Sequence, residues 1–111
     1  MKLRRLSQLP TEFVRHNPAI QKKVLLQPGE LPHLTNFSQA RLAPGQVAPA
    51  HDHSDMVEVF FVEAGQGAIA IDGVSYPLAP GDCVAVEPGE AHEVSNPGTQ
   101  DLVITYFGIL L

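Results

Sequence analysis

The chain reads as an all-β domain, and two observations carry that reading. Turn signals recur at short intervals: QPGE at 27–30, APGQ at 43–46, EAGQG at 63–67, DGV at 72–74, APGD at 79–82, EPGE at 87–90 and NPG at 96–98. Between them lie segments of about five to ten residues rich in Val, Ile, Phe and Leu, the spacing of an antiparallel barrel or sandwich. No segment after residue 20 sustains a helical apolar period long enough to compete.

Taken in order, SQLPTEFVRH near the start is expected to form no more than a short helical turn, because Pro10 and Pro18 limit it. Strands are expected over 20–27, 33–42, 47–52, 56–62, 67–71, 74–77, 83–86, 91–95 and 101–109, most of them bounded by one of the turns above. Alternate residues of a strand share a face. His51 and His53 therefore point the same way. On the next strand Glu58, Phe60 and Val62 share one side, and Val57, Val59 and Phe61 the other. A strand apolar on both sides is covered on both sides, here by a second subunit or the N-terminal arm, and the ending VITYFGILL agrees. A homodimer is the expected assembly.

A length of 111 residues suits a single domain, with residues 1–30 as an N-terminal arm and edge strand and 31–111 as the barrel core. No apolar run approaches the ~18 residues of a membrane span, and MKLRRLSQLP lacks the apolar stretch of a secretory signal, so a cytoplasmic location is expected. The single cysteine, Cys83, rules out an intrachain disulfide and is expected to be a small buried hydrophobe.

Charge is unevenly distributed around a net value of -5. Residues 1–23 hold Lys2, Arg4, Arg5, Arg15, Lys22 and Lys23 against Glu12 alone, whereas the remainder holds only Arg41 against eleven carboxylates. Such an acidic body disfavours nucleic acid and anionic membranes as partners. The basic segment is expected to lie against the acidic body of its own or a neighbouring subunit.

The motif that carries chemistry begins at HDHSDMVE. Two histidines one residue apart project both imidazoles from one strand face, and a glutamate on the next antiparallel strand can reach the same centre. An HxH alone is more often a solvated turn. The wider spacing changes the balance: Gly45, five residues, His51, one residue, His53, four residues, Glu58, six residues, Gly65. Further on stand Gly81, Pro88, Gly89, His92 and Asn96. The two groups, spanning Gly45 to Asn96, resemble the first and second motifs of the cupin superfamily. One departure is Glu87, where the family pattern has proline, with Pro88 displaced by one position.

The resemblance implies a double-stranded β-helix, or jelly roll, with an N-terminal extension. It also implies a third imidazole, His92, beside His51, His53 and Glu58 inside the barrel. Three imidazoles and one carboxylate suit one divalent transition metal, Fe, Mn, Ni or Zn, with positions left open for water, oxygen or substrate. His16 and His33 lie outside both motifs and are expected to be surface or structural residues. Asn96 and the motif glycines read as turn residues.

The surroundings offer little acid-base machinery. No lysine follows residue 23, and Arg41 is the one fixed cation of the barrel, which disfavours sugar-phosphate chemistry. Parity places Met56, Phe60, Val62, Val84, Val86 and Val94 around the ligands, with Cys83 in place of Val84 and Val86 if that strand slips. Gln39, Gln46, Tyr76, Thr105 and Tyr106 are polar candidates. Tyr106 is the candidate catalytic residue, since a phenol beside a metal can act as acid, base or hydrogen-bond donor; the alternative is a barrel-end tyrosine with its hydroxyl in water. A small, partly apolar ligand follows. Three functions fit: a metal-dependent oxidoreductase resembling the small cupin dioxygenases, a metal-assisted isomerase, lyase or cyclase, and a non-catalytic sensor or storage module.

Overall fold

The computed structural model describes residues 1–111. Ten strands follow one 3-10 turn, Leu6–Gln8. They are β1 (Glu12–Val14), β2 (Asn17–Leu26), β3 (Leu34–Leu42), β4 (Val47–His51), β5 (Met56–Ala64), β6 (Gly67–Ile71), β7 (Val74–Leu78), β8 (Cys83–Val86), β9 (His92–Ser95) and β10 (Leu102–Leu110). All neighbours are antiparallel, in a six-stranded sheet ordered β1-β2-β3-β10-β5-β8 and a four-stranded sheet ordered β4-β9-β6-β7. The result is a jelly roll. Its core lies between the inner faces, where Ile20, Leu42, Val62, Ile69, Leu102 and Ile104 are almost wholly buried. Each such side chain contributes about 1.5–3 kcal/mol on leaving water. No helix is long and apolar enough to cross a membrane.

The turns explain why so many short strands meet in register. Four x-Pro-Gly-x segments close in the same way: Glu30, Gln46, Asp82 and Glu90 each donate their N–H to the carbonyl three residues back, over 3.0–3.2 Å. The side chain of the same fourth residue accepts from the N–H of the first, at 2.6 Å in 27–30 and 2.8 Å in the other three. Proline presets φ at the second position, and the glycines at the third, Gly29, Gly45, Gly81 and Gly89, stand at φ 83–91°, where a side chain is disfavoured. The displaced Pro88 thus occupies the productive place in its turn. Gly89 also donates its N–H to the His53 carbonyl at 2.7 Å, tying the turn before His92 to the loop that carries His53.

Gly65 has a second requirement. Its φ is 82°, and a Cβ there would collide with the Asp101 carbonyl oxygen. Asn96 is not a positive-φ turn residue, as expected from its neighbours; it is buried, with Nδ2 donating to the Leu42 carbonyl at 2.9 Å and the Gln100 carbonyl at 2.8 Å, while Oδ1 accepts from Gly98 N–H at 2.9 Å. It brackets three chain segments together.

Two further expectations are corrected. The segment around residues 7–16 is not only a helical turn: after Leu6–Gln8 it continues as β1, a three-residue strand that pairs with β2 through Glu12↔Lys22 and Phe13↔Gln21. Pro10 precedes this strand and Pro18 lies at the start of the next, so neither removes a hydrogen bond from its middle. Cys83 is exposed. It opens β8 at the sheet edge opposite Phe61 on the outer side, while Val84 and Val86 turn inward as their parity requires.

Candidate metal centre

The topology brings two distant motifs to one end of the barrel. β4 and β9 are neighbours, and their register pairs His51 with His92. Residues 52–55 then carry the chain across to the other sheet, placing His53 in the crossing and Glu58 on the inner face of β5. The ligating atoms of His51, His53, Glu58 and His92 all lie within 4.8 Å of one another. Donors around a first-row ion with bonds of ~2.0–2.2 Å stand roughly 3–4 Å apart, so a slight contraction would close the set.

The hydrogen bonds orient the rings for such a role. Carbonyl oxygens can only accept, so His51 Nδ1 is the donor to the Pro49 carbonyl at 2.9 Å, and His92 Nδ1 to the Glu90 carbonyl at 3.2 Å. These contacts turn each Nε2 toward the centre, where that of His92 meets Glu58 Oε1, the arrangement in which backbone acceptors orient ligating histidines. Glu58 Oε1 lies 3.0 Å from His53 Nε2 and 3.2 Å from His92 Nε2. His92 is 1% exposed, the most sheltered of the four.

Electrostatics reflect the same convergence. Burial raises the Glu58 carboxyl, but the His92 hydrogen bond and the three imidazoles outweigh it and hold the pKa below its ordinary value. Burial lowers His92, yet its bonds to Glu58 and the Glu90 carbonyl prevail and raise it. His51 is lowered, chiefly by burial, with the neighbouring imidazoles adding to the effect. The donor set therefore holds one ionised carboxylate among three imidazoles, the charge and hardness that suit a borderline divalent cation.

The cluster forms the base of a cavity of about 180 Å³, below the roughly 300–1,000 Å³ of pockets that take drug-sized ligands. Ile20, Ala40, Leu42, Phe60, Val94 and Ile104 make apolar walls. Met56, Phe60 and Val94 line it as parity predicts, and Val86, opposite Glu58 in the ladder, borders a small adjoining pocket with His53, Glu58 and His92, whereas Val62 and Val84 face the core and reach neither. Among the polar candidates only Tyr106 reaches the cavity; Gln39, Gln46, Tyr76 and Thr105 lie elsewhere. The Tyr106 ring stacks on Phe60 at 5.7 Å. Burial pushes its phenol up to about 12, further than the neighbouring Ser38 hydroxyl pulls it down.

The expectation about cations is overturned. Arg41 does not face the cavity; it pairs with Asp101 at 3.3 Å on the exposed side. The cations that line the cavity are Arg15 and Lys22, both from the basic N-terminal segment. His16 is there as well, stacked on His51 with ring centres 4.1 Å apart. Asn36 on β3 is a fourth polar lining residue that sequence reasoning missed, after Arg15, His16 and Lys22. One signal was available for Lys22: it shares strand parity with Ile20 and Val24, two buried residues.

Fold and cluster together define a small jelly-roll domain with a histidine-carboxylate centre at one end. A family model described as a cupin domain matches residues 38–108, and the chain belongs to the cupin family. It is 31% identical over 75 residues to an oxalate-binding protein of Thermotoga maritima, covering 68% of this chain and 62% of that protein. It is also 31% identical over 62 residues to gentisate 1,2 dioxygenase 1 of Aquipseudomonas alcaligenes, covering 56% of this chain and 18% of that enzyme. In both cases the match spans less than two-thirds of the relative. Among solved structures, a predicted oxalate decarboxylase from Thermotoga maritima superimposes with a TM-score of 0.91 at 24% identity, covering 98% of this chain and 99% of the other. At that identity the likeness concerns the fold alone.

Proposed function

We propose that the protein is a metal-dependent oxidoreductase of the dioxygenase kind, acting on a small, partly apolar organic molecule. His51, His53, Glu58 and His92 would hold one Fe, Mn, Ni or Zn ion, and a redox-active member of that group would supply electron transfer between substrate and dioxygen. Both oxygen atoms enter the product, so no external reductant is needed. The observation that carries this reading is the convergence of four donors at the base of a small, apolar-walled cavity.

This chain's own residues have limited tasks in such a reaction. The apolar walls exclude water and orient the substrate, and Phe60 packs against both His92 and Tyr106, with ring centres 5.9 and 5.7 Å apart. A phenol raised to about 12 stays protonated at neutral pH, so Tyr106 serves as a hydrogen-bond or proton donor to a substrate oxygen. It is poorly suited to be the base that an isomerase, lyase or cyclase would require. The relative described as oxalate-binding favours a second reading, in which the same centre binds a small acid without turnover. Oxygen uptake that requires both metal and an added substrate, measured across small carbonyl, thiol and catechol-like compounds, selects the oxidoreductase. Tight binding with no product selects the second reading, and anaerobic turnover defeats both.

A second copy of the chain is the proposed partner. The outer face of β5 carries Val57, Val59 and Phe61, with Phe61 43% exposed, beside the exposed Ile109 of the adjacent β10.

A further inference from the structure

We infer that the β1–β2 hairpin is a recognition element for a carboxylate: Arg15 and Lys22 receive the anionic end of a small organic acid whose other end reaches the His51, His53, Glu58 and His92 centre. This inference rests on the metal-dependent reading above and names its substrate class.

The charge pattern makes these two residues unusual. In a chain of net charge -5, the only cation after residue 23 is Arg41, and it is committed to Asp101. Arg15 and Lys22 nevertheless line the cavity. Lys22 sits on the inward face of β2 between Ile20 and Val24, which are 0% and 6% exposed. Lys22 is half-buried there and also borders an open polar cleft with Ser7 and Gln21, and Arg15 at the hairpin tip is exposed, so an anion can reach both. The protein gives neither a counter-charge: no carboxylate lies within 4.0 Å of either residue's charged nitrogens. Glu12 is opposite Lys22 in the ladder, but its carboxylate accepts from Gln27 Nε2 at 3.2 Å. Glu58 is the one acidic residue lining the cavity, and His53 and His92 flank its carboxylate.

The hairpin is also fixed in place. Asn17 Nδ2 donates to the Val47 carbonyl at 2.9 Å, and Gln46 Nε2 donates to the Ala19 carbonyl at 3.1 Å, so the start of β2 is fastened at two points to β4 and the loop before it. At the tip, His16 stacks on His51, which sets the adjacent Arg15 beside the cluster's open side. The cavity therefore has a metal-ligating end, apolar walls and two unpaired cations. A molecule that satisfies all three carries a metal-binding oxygen, a short apolar middle and a carboxylate. The small volume favours this anion over a bulkier phosphate ester.

The test uses the full chain loaded with Zn(II), its metal content measured, and titrated calorimetrically with 3,4-dihydroxybenzoate and with catechol. Both probes offer the same metal-binding oxygens, and only the first adds a carboxylate. Charge-assisted hydrogen bonds predict a preference of about ten- to a hundredfold for 3,4-dihydroxybenzoate. In R15Q/K22Q the preference falls to about twofold or less, with affinity for 3,4-dihydroxybenzoate lost more than affinity for catechol, and R15K/K22R retains most of the preference. Equal affinity for the two probes in the wild type, or an undiminished preference in R15Q/K22Q, overturns the carboxylate assignment and leaves the metal reading standing. Failure to load Zn(II) or any of Fe(II), Mn(II) and Ni(II) overturns the metal reading and this inference with it, and failure of catechol to bind the metal-loaded protein overturns this inference alone.

Discussion

Replacing His92 by alanine gives a prediction whose size can be worked out. His92 is 1% exposed, its Nδ1 donates to the Glu90 carbonyl, and its Nε2 faces Glu58 Oε1 at 3.2 Å. Sharing the roughly 10–16 kcal/mol of a structural zinc site among four ligands assigns about 3–4 kcal/mol to one, a loss of about a hundredfold or more in metal affinity. At a metal concentration about 100 times the wild-type dissociation constant, binding stabilises the wild-type fold by about 2.7 kcal/mol and the variant by about 0.4 kcal/mol. Unfolding entropy for 111 residues corresponds to about 4 °C per kcal/mol, so metal raises the wild-type Tm by about 11 °C and the H92A Tm by about 2 °C. The metal-free variant is itself destabilised by about 1–3 kcal/mol, because the Glu90 carbonyl loses its partner and Glu58 a neighbour. The comparison is therefore made within each protein, by differential scanning calorimetry with and without metal. An H92A variant whose metal-induced rise matches the wild type would refute the assignment of His92.

Other consequences are checked more simply. Tyr106, raised to about 12 in the fold against about 10 in the unfolded chain, contributes stability that is fully present below pH 10 and lost between pH 10 and 12. Absorbance titration at 295 nm should show one tyrosine ionising only near pH 12 or on unfolding, and a Tyr106→Phe variant should lack that phase. Asn96→Ala removes three hydrogen bonds from a buried bracket and should cost about 2–4 kcal/mol in urea unfolding with the metal site intact; a loss below about 0.5 kcal/mol would contradict the bracketing role. Sedimentation should find a dimer, and Phe61→Glu should shift it towards monomer, whereas a monomeric wild type removes the proposed interface.

Most of the barrel was legible because its punctuation is local. The Pro-Gly turns carry their own geometry and their own closing side chain, and the strands between them follow within a residue or two, apart from the longer β2. The four clustered residues were legible through spacing: i, i+2 parity places His51 and His53, and the motif resemblance supplies His92 across the ladder. The hairpin was not. β1 is three residues long, lies between two prolines in sequence and has no apolar alternation of its own to announce it; only pairing with β2 makes it a strand. Because that pairing is tertiary, the basic segment reads only as an arm lying against an acidic body, and nothing in it announces that Arg15, His16 and Lys22 line the cavity. Cys83 misled for the opposite reason, since composition argued for burial and strand parity at an edge decided against it.

Elemental analysis of the tag-free chain reads the metal centre itself. After separate exposure to Fe(II), Mn(II), Ni(II) and Zn(II) and removal of loosely held ions, the wild type should retain about one transition metal per chain for at least one of them. Retention below about one-tenth of an equivalent for all four would contradict the claim that His51, His53, Glu58 and His92 form a metal site.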